Sequence, residues 1–339
     1  MPTDVLEQTA VRISEHVKTH GLAGIDIVFH GGEPLLLGAR LLEAFILHLK
    51  ASIPCQVGIG IQTNATLFSS QILDTLSRHQ VQVGISVDGP EDAHDRHRVD
   101  HKGRGTHSRV IEALRLASSR DAWSPLIGNY LAVVDLGTPP ARLYEYFSGL
   151  GARSIDLILP DRHHDAPPSR PLHRGRRTAY GDWLADFFDL WYEAQGPMSL
   201  RLFEEIIVAM LGGVSTHESI AAKSVDLVVV ETDGAIEPVD TLKVVGRQAT
   251  HIGLNVFENS FDEALSHPAI RSRMSGYSAL CDQCQSCPEV RHCGGGYLPH
   301  RWGRENGFLN PSVYCADLTQ LFARIRGRIM TDLATARSS

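Results

Sequence analysis

The sequence predicts an α/β protein with parallel strands, and three observations support this fold class. Short apolar runs alternate with amphipathic helical patterns over residues 1–160. The runs are apolar throughout, as in parallel strands that are buried on both faces. Polar or glycine-rich residues follow four of them, and parallel folds collect their chemistry at the carboxyl ends of strands. We therefore expect a concave polar site there.

The elements of this first part follow in a regular order. The chain opens with a helix over 4–20, although an array of strand–helix units normally begins with a strand. Five strands are predicted over 24–30, 57–63, 81–88, 126–134 and 154–160. Helices are predicted over 39–52, 69–80 with Ser69 or Ser70 as N-cap, 107–120 and 140–151. Five strands are too few for a closed barrel of eight and fit an open or partial barrel.

Residues beyond 160 show no such alternation. A shift in composition near residue 215 marks a candidate boundary between domains 1–215 and 216–339. The elements predicted here are a loop or lid over 161–178, helices over 179–196 and 199–213, a hairpin within 224–243 that turns at Asp233-Gly234, and a final helix over 317–335.

Composition excludes several classes of protein. The 339 residues are 43% hydrophobic and 21% charged, which is typical of a globular protein, and the net charge of −7 argues against a general nucleic-acid binder. No apolar run is long enough to span a membrane, and the N-terminus does not read as a signal peptide. We expect a cytoplasmic protein, in which clustered cysteines bind metal more often than they form disulfides.

Five of the six cysteines lie close together near the C-terminus. The spacing is Cys281-x2-Cys284-x2-Cys287-x5-Cys293, and Cys315 follows. Spacings of two residues let neighbouring thiolates converge on one metal centre. A structural zinc and an iron–sulfur cubane both take four thiolates, so the spacing alone leaves both open.

Several motifs together resemble radical SAM/SPASM enzymes, and the nearest resemblance is to FxsB-type maturases of ribosomally made peptides. These motifs are "HGGEP" (30–34), "TN" (63–64), "SVDG" (86–89) with "HDRHRVDHKGRGTH" (94–107), "VVVETDGAIEPVD" (228–240), and the ending "CGGGYLPHRWGRENGFLNPSVYCADL" (293–318). They occur in the family's order along essentially the whole chain. The resemblance implies a partial radical-SAM-type (β/α) barrel that lacks its first strand, followed by a SPASM-type Fe–S module.

The resemblance also implies a set of residues that bind S-adenosylmethionine (AdoMet). Gly31, Gly32 and Glu33 match the motif that contacts the methionyl amine, and a carboxylate suits an ammonium partner. The implied contacts to the cofactor's carboxylate and ribose are Asn64, Ser86, Asp88 and Arg98. A metal site formed by the loop histidines remains an alternative; these are His94, His97, His101, His163 and His164.

The same resemblance implies one auxiliary [4Fe–4S] cluster, with four ligands and a fifth thiol. The matching ligands are Cys284, Cys287, Cys293 and Cys315, and Cys281 is an extra thiol or a substitute ligand. A second cluster is not expected, because Val239 and Tyr297 stand where full SPASM domains carry cysteines. Asp240 matches a proton-accepting aspartate of a related maturase type, and the alternative is a residue that caps its own turn.

The implied function is the radical-based cross-linking or other C–H modification of a short ribosomal precursor peptide, with a reductant protein as a further partner.

The cysteine motif that holds the first cluster of radical SAM enzymes is missing from this sequence. That motif is C-x3-C-x2-C, but Cys55 is the only cysteine before Cys281. We expect the chain to be truncated before that motif and inactive alone; a decayed gene is an alternative. Other classes left open are a non-catalytic Fe–S or zinc protein that binds a peptide, and an ordinary barrel enzyme with a zinc ribbon.

Overall fold

The computed structural model describes residues 1–120, 126–170, 177–222, 224, 227–274 and 276–338. Parts of two predicted segments lie outside the described residues, namely 171–176 of the loop and 225–226 of the hairpin segment. The strands are β1 Gly24–Phe29, β2 Gln56–Thr63, β3 Gln82–Ser86, β4 Ile127–Val133, β5 Ser154–Ile158, β6 Ser199–Leu200, β7 Val229–Val230, β8 Ala235–Glu237 and β9 Leu254–Asn255.

The predicted parallel α/β fold is confirmed. Strands β1 to β6 form one sheet in chain order, and the pairs β1–β2, β2–β3, β3–β4 and β5–β6 are parallel. The sheet has one strand more than the sequence predicts. Ser199 and Leu200 pair with Ser154 and Ile155 as β6, whereas the sequence pattern assigns them to the start of a helix. Two residues are too few to show a strand periodicity.

Strand β1 differs from the expected burial on both faces. Its residues alternate between exposed and half-buried, and 58% of the surface of Val28 is exposed. The strand lies at the end of the sheet order and pairs only with β2, so it has fewer neighbours than an inner strand. Strand β3, by contrast, buries Val83 and Ile85 completely.

The helices agree with the predicted order, but the structure adds one short helix over Glu91–His94 in the first half and several short elements in the second half. Those from the first half are α1 Thr3–His20, α2 Gly38–Ser52, α3 Ser70–Arg78, α4 Glu91–His94, α5 His107–Ser118 and α6 Pro140–Gly149. The others are α7 Ala179–Ala194, α8 Arg201–Met210, α9 Phe261–Ser266, α10 Pro268–Met274, α11 Asp282–Gln285, α12 Val290–Cys293 and α13 Cys315–Ser338. Ser69 caps α3 as predicted, because its hydroxyl accepts the N–H of Ile72. No helix in the described ranges is both long and apolar enough to span a membrane.

The chain divides into two compact units that interleave along the sequence. The first contains residues 1–132, 227–240 and 248–270, and the second contains 133–226, 241–247 and 271–339. In the first unit, β7 and β8 form the predicted antiparallel hairpin, with Gly234 at a φ of 85° in the turn. Strand β9 pairs with β8 and is too short for the sequence to reveal. A domain boundary near residue 215 stays a prediction.

In the second unit, the first turn of α13 is fixed by a buried ion pair. Asp317 is completely buried and accepts hydrogen bonds from Arg170 Nη1 and Nη2 at 3.0 and 2.6 Å and from the Gly181 N–H at 2.9 Å. Helix α7 can approach this closely because Gly181 lacks a side chain; a Cβ there would lie 2.5 Å from the Asp317 carbonyl oxygen. This packing fixes the position of Cys315, two residues before Asp317.

Replacing Gly181 with alanine tests that close approach. We expect the free energy of unfolding to fall by about 1–3 kcal/mol, because the new methyl group meets backbone that cannot move aside alone. Gly327→Ala is the matched control: this glycine lies on the exposed side of α13 with open space around it, so alanine there should stabilise the protein by roughly 0.5–1 kcal/mol. Equal effects of the two substitutions in urea unfolding would contradict the role of Gly181.

Candidate functional sites

The carboxylate of Glu33 connects the loops that follow β1 and β2. Its Oε1 accepts hydrogen bonds from Thr63 Oγ1 at 2.7 Å and from the Leu35 N–H at 3.1 Å, and its Oε2 accepts the Asn64 N–H at 3.0 Å. Glu33 thereby caps the 3-10 helix over Pro34–Leu37. A carboxylate has about four lone-pair sites, so these three bonds leave acceptor capacity for an ammonium group.

The two glycines before Glu33 border open space. A Cβ added at Gly31 or Gly32 would meet no atom within 4 Å, and Gly31 has a φ of 114°, which disfavours other residues. The backbone of this loop can therefore approach a ligand closely. The predicted AdoMet motif therefore has the open backbone that a bound cofactor needs.

The loop after β2 is held in a tight turn. Asn64 Oδ1 accepts hydrogen bonds from the Thr66 N–H at 3.0 Å and from Thr66 Oγ1 at 2.6 Å. The buried Ala65 has a φ of 59°, a left-handed conformation that costs a non-glycine residue roughly 1–2 kcal/mol. Thr63 Oγ1 offsets part of this cost by accepting the Ala65 N–H at 3.0 Å. The predicted Asn64 therefore has a side-chain oxygen already engaged in the turn.

At the end of β3, the structure pairs two residues that the sequence predicts as separate contacts. Arg98 donates to both oxygens of the buried Asp88 carboxylate, from Nε at 2.5 Å and from Nη2 at 3.0 Å. Ser86, also predicted, accepts a hydrogen bond from Gln62 Nε2 at 3.0 Å. The polar groups of three successive strand ends thus lie in the first compact unit.

His94 supports this loop from the interior. Its Nδ1 accepts the Asp88 N–H at 3.3 Å, and its Nε2 lies 3.0 Å from Thr106 Oγ1, which donates to the Arg98 carbonyl. Burial lowers the pKa of His94 to about 4, with the Arg98 charge as a second cause, so the ring is neutral at pH 7. Both ring nitrogens are thus engaged within the protein, which argues against His94 as a metal ligand.

Asp240 lies beside the predicted AdoMet motif. Its Oδ2 is 3.1 Å from Nδ1 of His30, the residue directly before Gly31, and both residues belong to the first compact unit. Asp240 begins a 3-10 helix over Asp240–Val245. The sequence singled out Asp240 but not this partner, because 210 positions separate the two residues and nothing local in the sequence reveals the contact.

The five C-terminal thiols form one cluster in the second unit. Cys281 precedes α11 and contacts Cys284 within it, Cys293 ends α12, and Cys315 begins α13. Their charges act on one another: Cys284 responds to Cys281, Cys293 and Cys315, and Cys315 responds to Cys287. All six cysteines of the chain are free thiols.

The spacing of these thiols favours an iron–sulfur cluster over zinc. Four thiolates around one Zn²⁺ lie about 3.8 Å apart, given Zn–S bonds of about 2.3 Å. Among the described residues, no three thiols lie within 4.8 Å of one another; the group of three potential ligands that does so is His16, His20 and Asp262. A cubane separates its thiolates further, because each binds a different iron.

Three consecutive glycines shape the backbone around Cys293. Gly294, Gly295 and Gly296 all have φ between 62° and 81°, and the N–H groups of the last two point at the Cys293 sulfur. Successive backbone N–H groups of this kind bind anions. A Cβ at Gly294 would lie 1.7 Å from the Ala222 nitrogen, so glycine is also required by close packing.

Burial favours the protonated form of three of the thiols. Desolvation raises the pKa of Cys284 to about 12 and that of Cys293 to about 12, and it also raises the pKa of Cys315. Only thiolates bind iron or zinc, so metal uptake at neutral pH must release these protons.

The chain is similar to proteins of known family and activity. The Radical SAM superfamily model matches residues 3–133. The chain is 26% identical over 333 residues to the cysteine-type anaerobic sulfatase-maturating enzyme of Clostridium perfringens, covering 95% of this chain and 86% of the relative. It is 22% identical to the serine-type enzyme of Bacteroides thetaiotaomicron, covering 92% and 78%.

Two solved structures share the fold. Native anSMEcpe with bound AdoMet and the Cp18Cys peptide matches with a TM-score of 0.84 and 24% identity, covering 99% of this chain and 92% of that one. Streptococcus suis SuiB bound to the precursor peptide SuiA matches with a TM-score of 0.56 and 14% identity, covering 93% and 69%.

These findings relate the first part of the chain to a class of enzymes. Residues 3–133 match the radical SAM superfamily, whose enzymes use a [4Fe–4S] cluster and AdoMet. Among curated proteins, it is similar along most of its length to anaerobic sulfatase-maturating enzymes. The open glycine loop fits AdoMet, and the separated thiols fit a cluster.

The free energy of unfolding depends on pH, because the pKa of His94 is lower in the folded protein than in the unfolded chain. Between pH 6.5 and about 4 the unfolded chain binds a proton at this residue and the folded chain does not, so the free energy of unfolding falls by up to about 3 kcal/mol as the pH decreases. In urea unfolding at several pH values, His94→Asn should be less stable than wild type at pH 7.5 but lose less on acidification. The exposed His101→Asn should behave like wild type, and an unchanged pH slope in His94→Asn would contradict the argument.

Proposed function

We propose that this chain is a radical AdoMet maturase that modifies a peptide, of the FxsB type that the motifs resemble. The contact between His30 of the AdoMet motif and Asp240 carries the proposal, because it brings a candidate proton acceptor to the cofactor loop. The solved relatives anSMEcpe and SuiB, which contain bound peptides, support a peptide substrate. We infer a short ribosomal precursor peptide, modified by cross-linking or at another C–H bond.

In this proposal the first unit binds AdoMet. Glu33 and the open backbone at Gly31 and Gly32 receive the methionyl amine, and the end of β3 with Asp88 and Arg98 faces the carboxylate or ribose. The Arg98 guanidinium remains partly exposed, so it can contact a ligand while it holds Asp88. Asn64 and Ser86 complete the proposed set.

A reduced [4Fe–4S] cluster of this superfamily supplies the chemistry, the reductive cleavage of AdoMet to a radical that takes a hydrogen atom from the peptide. Asp240 then accepts the proton that the oxidised peptide loses. His30 holds the carboxylate through Nδ1 and can pass the proton on, because its ring is half exposed to solvent.

The second unit holds one auxiliary [4Fe–4S] cluster in our proposal. Its ligands are Cys284, Cys287, Cys293 and Cys315. Cys281 contacts Cys284 and is therefore placed to replace a ligand or to remain a spare thiol. When bound, such a cluster would supply an electron acceptor for the substrate, a positioning group for the peptide or a structural support for the unit, and an external reductant protein would be the electron source for the first cluster.

The first cluster needs three cysteines that these 339 residues do not contain, since only Cys55 precedes Cys281. We propose that a segment before residue 1 supplies the C-x3-C-x2-C motif. In-frame codons for this motif directly upstream of the Met1 codon would support the proposal. A stop codon close upstream would favour the alternative, a non-catalytic Fe–S protein that binds a peptide.

Iron analysis tests the auxiliary cluster on the chain as it stands. After anaerobic reconstitution we expect about four irons and four sulfides per chain, with the brown absorption of a cubane. Cys293→Ser should lose most of the iron, whereas Cys55→Ser, which alters the one cysteine outside the C-terminal group, should keep it. Zinc in place of iron, or no metal, would overturn the cluster assignment.

Asp240→Asn tests the proposed proton acceptor in a protein that includes the upstream segment. With AdoMet, dithionite and the precursor peptide, we expect the variant to form 5′-deoxyadenosine while its yield of modified peptide falls by at least tenfold, because AdoMet cleavage does not need the carboxylate. Asp233→Asn, a matched change in the hairpin turn, should keep full yield. Full product from the Asp240 variant would remove this residue from the mechanism.

A further inference from the structure

Arg301 is a buried cation next to the cysteine cluster. It ends the 3-10 helix over Leu298–Arg301, and only 8% of its surface is exposed. Its Nε and Nη1 atoms are buried and have no hydrogen-bond partner within the part of the chain that the structure describes. Leaving two donors of a buried cation unsatisfied is strongly unfavourable, so we expect an anion at this position.

The groups that would favour a charged Arg301 when ionised are cysteine side chains. Cys284, Cys281 and Cys293 are the residues whose charges favour its cationic form. Nη1 also lies against the glycine turn, because a Cβ at Gly295 would be 3.3 Å from it. The side chain is therefore directed toward the cluster rather than toward solvent or a carboxylate.

The thiols alone do not satisfy this side chain. Nε and Nη1 of Arg301 have no hydrogen-bond partner among the described residues, and the neighbouring cysteines are among those residues. A cubane held by four cysteines has a net negative charge, because the four thiolates exceed the positive charge of its core. Such a cluster supplies the anion that the two unsatisfied donors lack.

We propose that Arg301 contacts the cluster held by these cysteines, donating hydrogen bonds from Nε and Nη1 to its sulfur atoms and raising its reduction potential. This inference rests on the proposed auxiliary cluster. Reduction adds an electron, and a nearby fixed cation stabilises the more negative state. Hydrogen bonds to sulfur and net charge are two of the factors that set cluster potentials.

The test measures iron content and reduction potential on the reconstituted chain. In an EPR-monitored redox titration, we expect Arg301→Gln to lower the equilibrium constant for reduction of the cluster by at least tenfold. For a one-electron couple, this change moves the midpoint potential by about 59 mV to more negative values. Arg301→Lys keeps the charge but not the planar donor geometry, so it should shift less. Arg304→Gln is the control, since its side chain is 88% exposed; its potential should equal that of wild type.

The possible outcomes separate this inference from the cluster assignment. Wild type with about four irons, together with an unchanged potential in Arg301→Gln, overturns the role of Arg301 alone. Wild type that takes up no iron overturns the cluster and the role of Arg301 together. If Arg301→Gln does not fold, Arg301→Lys decides: a negative shift supports the hydrogen bonds, and a potential equal to that of wild type contradicts them.

Discussion

The loops at the polar end of the sheet depend on the hydrogen bonds that the Glu33 carboxylate accepts. Parallel strands bring their carboxyl ends to one edge, where the loops leave backbone N–H groups without partners in the sheet. Glu33 accepts two of these N–H groups, one from its own loop and one from Asn64, together with the Thr63 hydroxyl. One side chain thus fixes two loops, including the glycines that leave room for a ligand.

The second unit is organised by a different constraint, the concentration of five cysteine side chains in one place. Burial raises the pKa of three of them, Cys284, Cys293 and Cys315, so the surrounding protein does not favour these three as free anions. In our proposal, a bound cluster would take the place of the protons on these thiols, and Arg301 would balance the negative charge that results. Asp317 and Arg170 fix the helix that contributes Cys315, so the ligand positions are set before the metal binds.

The sequence predicted most of the longer secondary-structure elements, but it did not predict the contacts between residues that are distant in the chain. The five longer strands, the hairpin at Gly234 and the N-cap at Ser69 were readable because each has a local signature. Strands β6 and β9 have two residues each, too few for any periodicity. The exposure of β1 was also missed, because an apolar run does not show how many neighbours its strand has.

By itself, the sequence determined the class of the elements, the identity of the candidate ligands and the order of the motifs, since these depend on residue type and spacing. Only the tertiary structure brought His30 to Asp240, paired Arg98 with Asp88 and left two buried donors of Arg301 beside the thiols. Such contacts join residues that are distant in the chain or that sequence reasoning treats separately. They follow from packing and from the need to satisfy buried polar groups, which no local pattern records.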